Sequence, residues 1–376
     1  EQNIAVAQFD MGAFYFIGQY VTQDINKAIH YFTLAADQNH LNAQYNLGVI
    51  YSHEQYATID INKAIHYFTL AANQNHLEAQ FNLGFIFLDG QYITQDINKA
   101  IHYFTLAAKQ NHLEAQFNLG VIYLHEQFNA PDINKAIHYF QLASKQNCPQ
   151  AHFELGVIYL DGQYNTQDVD IAINYLFLAA NCNHPKAQLI LGFIYSDGIY
   201  VKQDINKAIH YLSLAENQNV LEAQYKLGLI YLEGQYNKQD INKAICYLSL
   251  AANQNHSGAQ YELGFFFSEG QYATQDINKA IRYLSLAANQ NHSGAQFKLG
   301  LIYSEGQYVT RDINKAIYYY SLASKQNHSG AQFNLGFIYS KGRYITRDIG
   351  KAIHYFSLAS ENNNSGAQYI LGLIHF

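Results

Sequence analysis

The sequence has no tryptophan, one methionine, three prolines and three cysteines in 376 residues. Three cysteines (Cys148, Cys182, Cys246) cannot all pair within the chain, which excludes a disulfide framework and suits isolated thiols in a reducing compartment. Charged residues make up only 14% of the chain, and its net charge is −7. So little charge with so many aromatics argues against disorder, and the acidic balance leaves no basic field for a nucleic-acid backbone. No apolar run reaches about 18 residues, so no membrane-spanning helix is expected. The opening Glu1-Gln2-Asn3-Ile4 lacks the basic region and apolar stretch of a signal peptide. A cytoplasmic location is therefore expected, with a secretory lumen as the alternative if a signal segment lies upstream.

What is present in quantity is repetition. Ala-Gln recurs at Ala43-Gln44, Ala79-Gln80, Ala115-Gln116, Ala187-Gln188 and onward to Ala367-Gln368, always a multiple of 36 residues apart, and Leu-Gly recurs in step with it. The chain holds ten full periods plus a trailing first helix. No linker interrupts them, so residues 1–376 read as one continuous repeat array.

Each period reads as two helices. The first covers about Leu77–Leu88, with Ala79, Leu83, Ile86 and Phe87 on one apolar face. Gly84 falls in its middle, where glycine costs up to about 1 kcal/mol against alanine; its recurrence in every period predicts a close approach by the partner helix. Gly90 to Gln95 form the turn, and Asp96 is a helix N-cap whose carboxylate accepts free backbone N–H groups. The second helix runs from Ile97 to about Gln110 and buries Ile97, Ala100, Ile101, Tyr103, Phe104, Ala107 and Ala108. Asn111 ends it, because asparagine tolerates the left-handed conformation at helix C-termini. The fold class is all-α: a solenoid of α-α hairpins with a 36-residue period and an extended concave face.

The pattern Ala223, Leu227, Gly228, Tyr231, Gly234, Asp240, Lys243, Ala244, Tyr247, Ala251, Ala252 resembles the Sel1-like repeat, a relative of the tetratricopeptide repeat. The resemblance covers essentially the whole chain and is similar to arrays in some protists. Several positions depart from it: Tyr92 and Tyr236 stand for a second turn glycine, Glu54 and Glu126 for the first, Ile171 for the lysine, and the closing glycine is asparagine throughout. The resemblance implies a non-catalytic scaffold or adaptor that binds other proteins or peptides. Two alternatives go with it: the interaction region of a larger signalling enzyme such as a protein kinase, or a lumenal quality-control adaptor. Of kinase elements the chain has none, neither a Gly-rich phosphate loop nor His-Arg-Asp nor Asp-Phe-Gly. The lumenal reading would put glycan on Asn255, Asn291, Asn327 and Asn363, each of which begins an N-x-Ser sequon.

Candidate chemistry is sparse. Histidines fall in two columns, His30, His66, His102, His138, His210 and His354 on the second helix and His40, His76, His112, His184, His256, His292 and His328 after it. Hairpins packed about 8–10 Å apart keep column neighbours too distant to share a metal at about 2.0–2.1 Å, so half-exposed surface histidines are expected. No catalytic residue, metal ligand, cofactor or small-molecule substrate is assigned.

A second apolar patch on the first helices, away from the core face, is the candidate concave groove: Phe81, Phe85, Phe117, Val121, Tyr225, Leu229, Phe265 and Leu301. For Phe81 and its equivalents, packing against the next hairpin is the plainer account; it is a weaker competitor at Phe85 and its column. Asp89, Asp161, Asp197, Glu233, Glu269 and Glu305 end the first helices and form the candidate acidic rim. An aromatic groove with that rim suits an extended or helical peptide carrying basic side chains.

Overall fold

Aspartate at every thirty-sixth position, from Asp24 to Asp348, starts a helix. The Asp96 carboxylate accepts the Lys99 N–H at 3.0 Å, and each of the other nine copies accepts the equivalent bond from its own first turn. The computed structural model describes residues 2–126, 128, 130–162, 167–234, 240–270, 275–306, 309–343 and 345–375. Among them are 21 helices and no strand. Tyr236 lies outside the described residues.

Two compact units, Glu1–Ala187 and Gln188–Phe376, make up the chain, and each is a stack of antiparallel helix hairpins. In the third hairpin the first helix is Leu77–Asp89 and the second Ile97–Lys109. Ala79, Leu83, Ala100, Phe104 and Ala107 are fully buried between them. Ile97, Ile101 and Tyr103 are only half-buried, because they flank this seam. Ile86 also departs from expectation: its counterparts Ile50 and Ile122 are buried, whereas Ile86 borders an open cavity and stays half-exposed.

The recurring glycine sits at the crossing point of each hairpin. A Cβ on Gly84 would lie 2.6 Å from the Phe104 ring, and one on Gly120 would lie 2.6 Å from Phe140. In the second unit the opposing side chain is Leu212, Leu248, Leu284, Tyr320 or Phe356. Glycine is therefore required by contact with a side chain of the partner helix.

Chain reversals follow the same code. Asn111 adopts φ +68°, and all ten asparagines of this column, Asn39 to Asn363, are left-handed. Gly90 ends the first helix at φ +69°, and Gln95 ties the turn down by donating to the Leu88 carbonyl at 2.7 Å. Where Glu54 and Glu126 replace this glycine, the helices stop a residue earlier, at Ser52 and Leu124, and His53 and His125 take extended conformations instead.

A buried amide chain links hairpin to hairpin. Gln80, 1% exposed, accepts from Gln110 at 2.8 Å and donates to Asn75 Oδ1 of the preceding repeat at 3.1 Å. Gln44 and Gln116 make both bonds in the first unit, and Gln188, Gln224, Gln260, Gln296 and Gln332 accept the equivalent bond in the second, the last from Asn362. At the fifth repeat His152 and Cys182 take these positions, and His152 turns to the Ser144 hydroxyl at 2.9 Å.

Candidate functional site

The two apolar columns of the first helices differ in what covers them. Phe81 is half-buried: its ring stacks on His112 at 4.5 Å and tilts against Phe104 at 5.8 Å. Tyr225 lies 4.3 Å from His256, and Phe117 packs on Phe140 at 5.6 Å, where the next cap is Cys148. Phe81 and Tyr225 thus reach the cap of the next first helix, and Phe117 packs on the second helix of its own hairpin. Four residues further on, Phe85 is 52% exposed and Phe265 39%, with Val121, Leu229 and Leu301 half-buried beside them. Phe337, in the same column, is 43% exposed.

Sequence reasoning missed the role of the second histidine column. His76 is the N-cap of the first helix, its Nδ1 accepting the Ala79 N–H at 3.2 Å; His40, His112, His184, His256, His292 and His328 do the same for their helices. The preceding repeat's aromatic covers each ring, as Tyr45 covers His76 at 4.4 Å. Burial pushes His40, His76, His184, His256, His292 and His328 below the ordinary histidine range. The signal was available: histidine stands directly before a helix start, one residue after the left-handed asparagine.

The six carboxylates ending the first helices are all exposed. Asp197 is engaged by Lys226 at 2.8 Å and Glu269 by Lys298 at 2.5 Å, each lysine reaching across from the next first helix. Glu233 instead faces Glu262, whose carboxyl is pushed above the usual carboxylate range by burial and then by the Glu233 charge. Asp89 lines a cavity of about 370 Å³ with Ser52, His53, Phe81, Asn82, Phe85 and Ile86, between the first helices of the second and third hairpins. Two smaller cavities occupy the corresponding place in the second unit, 310 Å³ around Lys226 and 270 Å³ around Lys298. Among the described residues no group of three His, Cys, Asp or Glu side chains could hold a metal ion. No helix there is long and apolar enough to cross a membrane.

The family model of the Sel1 repeat matches ten consecutive segments, residues 5–40, 41–76, 77–112, 113–148, 149–184, 185–220, 221–256, 257–292, 293–328 and 329–364. The chain belongs to the Sel1 repeat family. A protective antigen of uropathogenic Escherichia coli strains, displaying an SLR fold, is 28% identical with a TM-score of 0.82 over 98% of this chain and 79% of its own. A Sel1 repeat protein from Oxalobacter formigenes is 26% identical, with a TM-score of 0.70 over 82% of this chain and 90% of its own. No curated protein matches.

Within these Sel1 repeats the lysine of the second helix serves the hairpin itself. Lys99 lies 3.3 Å from Asp96 and 5.0 Å from the centre of the Phe87 ring, and the arrangement recurs at Lys63 and Lys243. Exposed pairs of this kind contribute little to stability. Ile171 in the fifth repeat has no such charge, and its backbone N–H still caps onto Asp168 at 3.0 Å.

Proposed function

We propose that this Sel1 array is a non-catalytic scaffold that binds partner proteins or peptides along the outward flank of its first helices. The observation that carries the reading is the Phe85 column. Large aromatics remain open to solvent there, while the neighbouring Phe81 column is packed away. Exposed apolar side chains beside an apolar cavity with a few polar groups at its edge are the usual form of a docking surface. Phe81, Phe117 and Tyr225 support that surface from beneath, and Phe85, Val121, Leu229, Phe265 and Leu301 would meet the partner. A helix or extended segment with apolar anchors would lie across them.

A cytoplasmic setting is part of the same reading. Cys148, Cys182 and Cys246 are all free thiols. The four sequon asparagines share their left-handed conformation with six that begin no sequon, so helix termination accounts for the whole column.

The test compares capture of partners from native lysate by the wild type and by a Phe85→Glu, Phe265→Glu, Phe337→Glu variant, with circular dichroism confirming the fold. Specific partners retained by the wild type and lost by the folded variant are expected. The same partners on both would place recognition on another face.

A further inference from the structure

Three hairpins present a phenylalanine and, one turn later, a carboxylate on the exposed side of the first helix: Phe85 with Asp89, Phe193 with Asp197, and Phe265 with Glu269. Two of these pairs are filled by the chain itself. Lys226 sits 2.8 Å from Asp197 with its ammonium 5.4 Å from the Phe193 ring centre; Lys298 sits beside Glu269 and 4.9 Å from the Phe265 ring centre. Each lysine comes from the next first helix, 29 residues after the acid. Every other first helix has asparagine, aspartate, glutamate or isoleucine at this position. The lysine therefore occurs only behind a phenylalanine–carboxylate pair, as expected of a side chain held by both ring face and negative charge.

Phe85 and Asp89 are the one such pair without it. The corresponding residue is Asn118, an uncharged side chain whose Nδ2 donates to the Glu114 carbonyl of its own helix at 2.9 Å. Asp89 has no cationic partner among the described residues. Phe85 is more exposed than the lysine-covered Phe265, 52% against 39%.

We propose that Phe85, Asp89 and Asn118 form a receptor for a lysine side chain of a partner protein, the partner supplying the group that Lys226 and Lys298 supply internally. This rests on the reading of the flank as a docking surface and adds its charge specificity. The ammonium would lie between the Phe85 ring and the Asp89 carboxylate, and the aliphatic stem would run over the apolar flank. One such contact is weak by itself; it would set the register of a longer segment whose apolar anchors lie on Val121 and along the column.

The test titrates the full chain with two acetylated, amidated pentapeptides, Leu-Gly-Lys-Gly-Leu and the same sequence with norleucine for lysine. Ring resonances of labelled phenylalanine report binding by NMR. The lysine peptide is expected to shift the Phe85 ring and to bind about fivefold more tightly than the norleucine peptide. Asn118→Lys installs the residue that two sibling hairpins already carry, so it keeps the fold and abolishes that preference; Asn118→Gln retains it. Equal binding of the two peptides to the wild type would remove the cation site and leave the docking surface standing. An unaltered lysine preference in Asn118→Lys would also overturn the proposal. Neither peptide binding the wild type would overturn it too, with the docking surface then judged by the capture experiment.

Discussion

At the scale of single residues, three positions determine each hairpin: the crossing glycine, the left-handed asparagine and the capping aspartate. Their roles were legible in the sequence, because each acts on its own helix or the helix packed against it, within one period. The glycine allows a sharp test. A methyl group on Gly120 would overlap the Phe140 ring, which is fully buried. Gly120→Ala gains helix propensity of about 1 kcal/mol yet introduces overpacking of about 1–3 kcal/mol. A net loss of stability is expected by chemical denaturation. Equal or greater stability would show that the ring shifts freely.

At the scale of the helix, the two caps of a hairpin differ in their response to pH. Aspartate caps such as Asp60 and Asp96 are held below the usual carboxylate range, first by the backbone N–H bond from the lysine three residues on. Their contribution persists above the unfolded value of about 3.9 and is lost as pH falls through the lower folded value. Histidine caps act in the opposite part of the scale. The folded protein binds the proton less readily than the unfolded chain, so stability is fully present above about pH 6.5 and falls as pH drops from there toward the folded values. Protonation also converts the Nδ1 acceptor to a donor and removes the cap. A falling melting temperature between pH 7 and pH 5 is expected. The tenth repeat's end supplies the control, since Asn364 caps its helix in the same way, accepting from Ala367 at 2.9 Å. His256→Asn with His292→Asn is expected to flatten the pH dependence while holding stability at pH 7.5; an unchanged slope would place the acid sensitivity elsewhere. This column was not legible as capping, because histidine is an unusual N-cap and its aromatic cover comes from the preceding period.

At the scale of the molecule, the amide chain makes neighbouring hairpins depend on one another. Gln110→Leu would leave Gln80 buried with an unmatched carbonyl, a loss of about 1–3 kcal/mol, placed at a junction between repeats of the first unit. In a nearest-neighbour array such a loss weakens coupling as well as stability. A broader unfolding transition is expected, seen as a lower denaturant slope; a simple parallel shift of the curve would show that the junction carries no cooperativity. The repeat architecture was legible almost completely, since a 36-residue period repeats every local signal. The flank was legible only as two apolar columns. Which column is covered depends on His112 and its equivalents. Which carboxylates are engaged depends on partners 29 residues away, as with Lys226 and Asp197. Both facts belong to the offset between adjacent hairpins, which no single period contains.

The hairpins meet through positions rather than through individually matched surfaces: glycine against ring, glutamine against glutamine, histidine beneath an aromatic. Excising residues 77–112 would bring His76 directly before Leu113, the place that His112 now holds, and would leave Tyr45 and Gln44 facing residues of the kind they face already. Such a shortened chain is expected to fold and to melt within a few degrees of the parent; failure to fold would mean that the repeats are less interchangeable than their contacts suggest. A coding sequence built this way can gain or lose whole units by unequal recombination without passing through a misfolded product, so the length of the array is free to change while its chemistry stays the same.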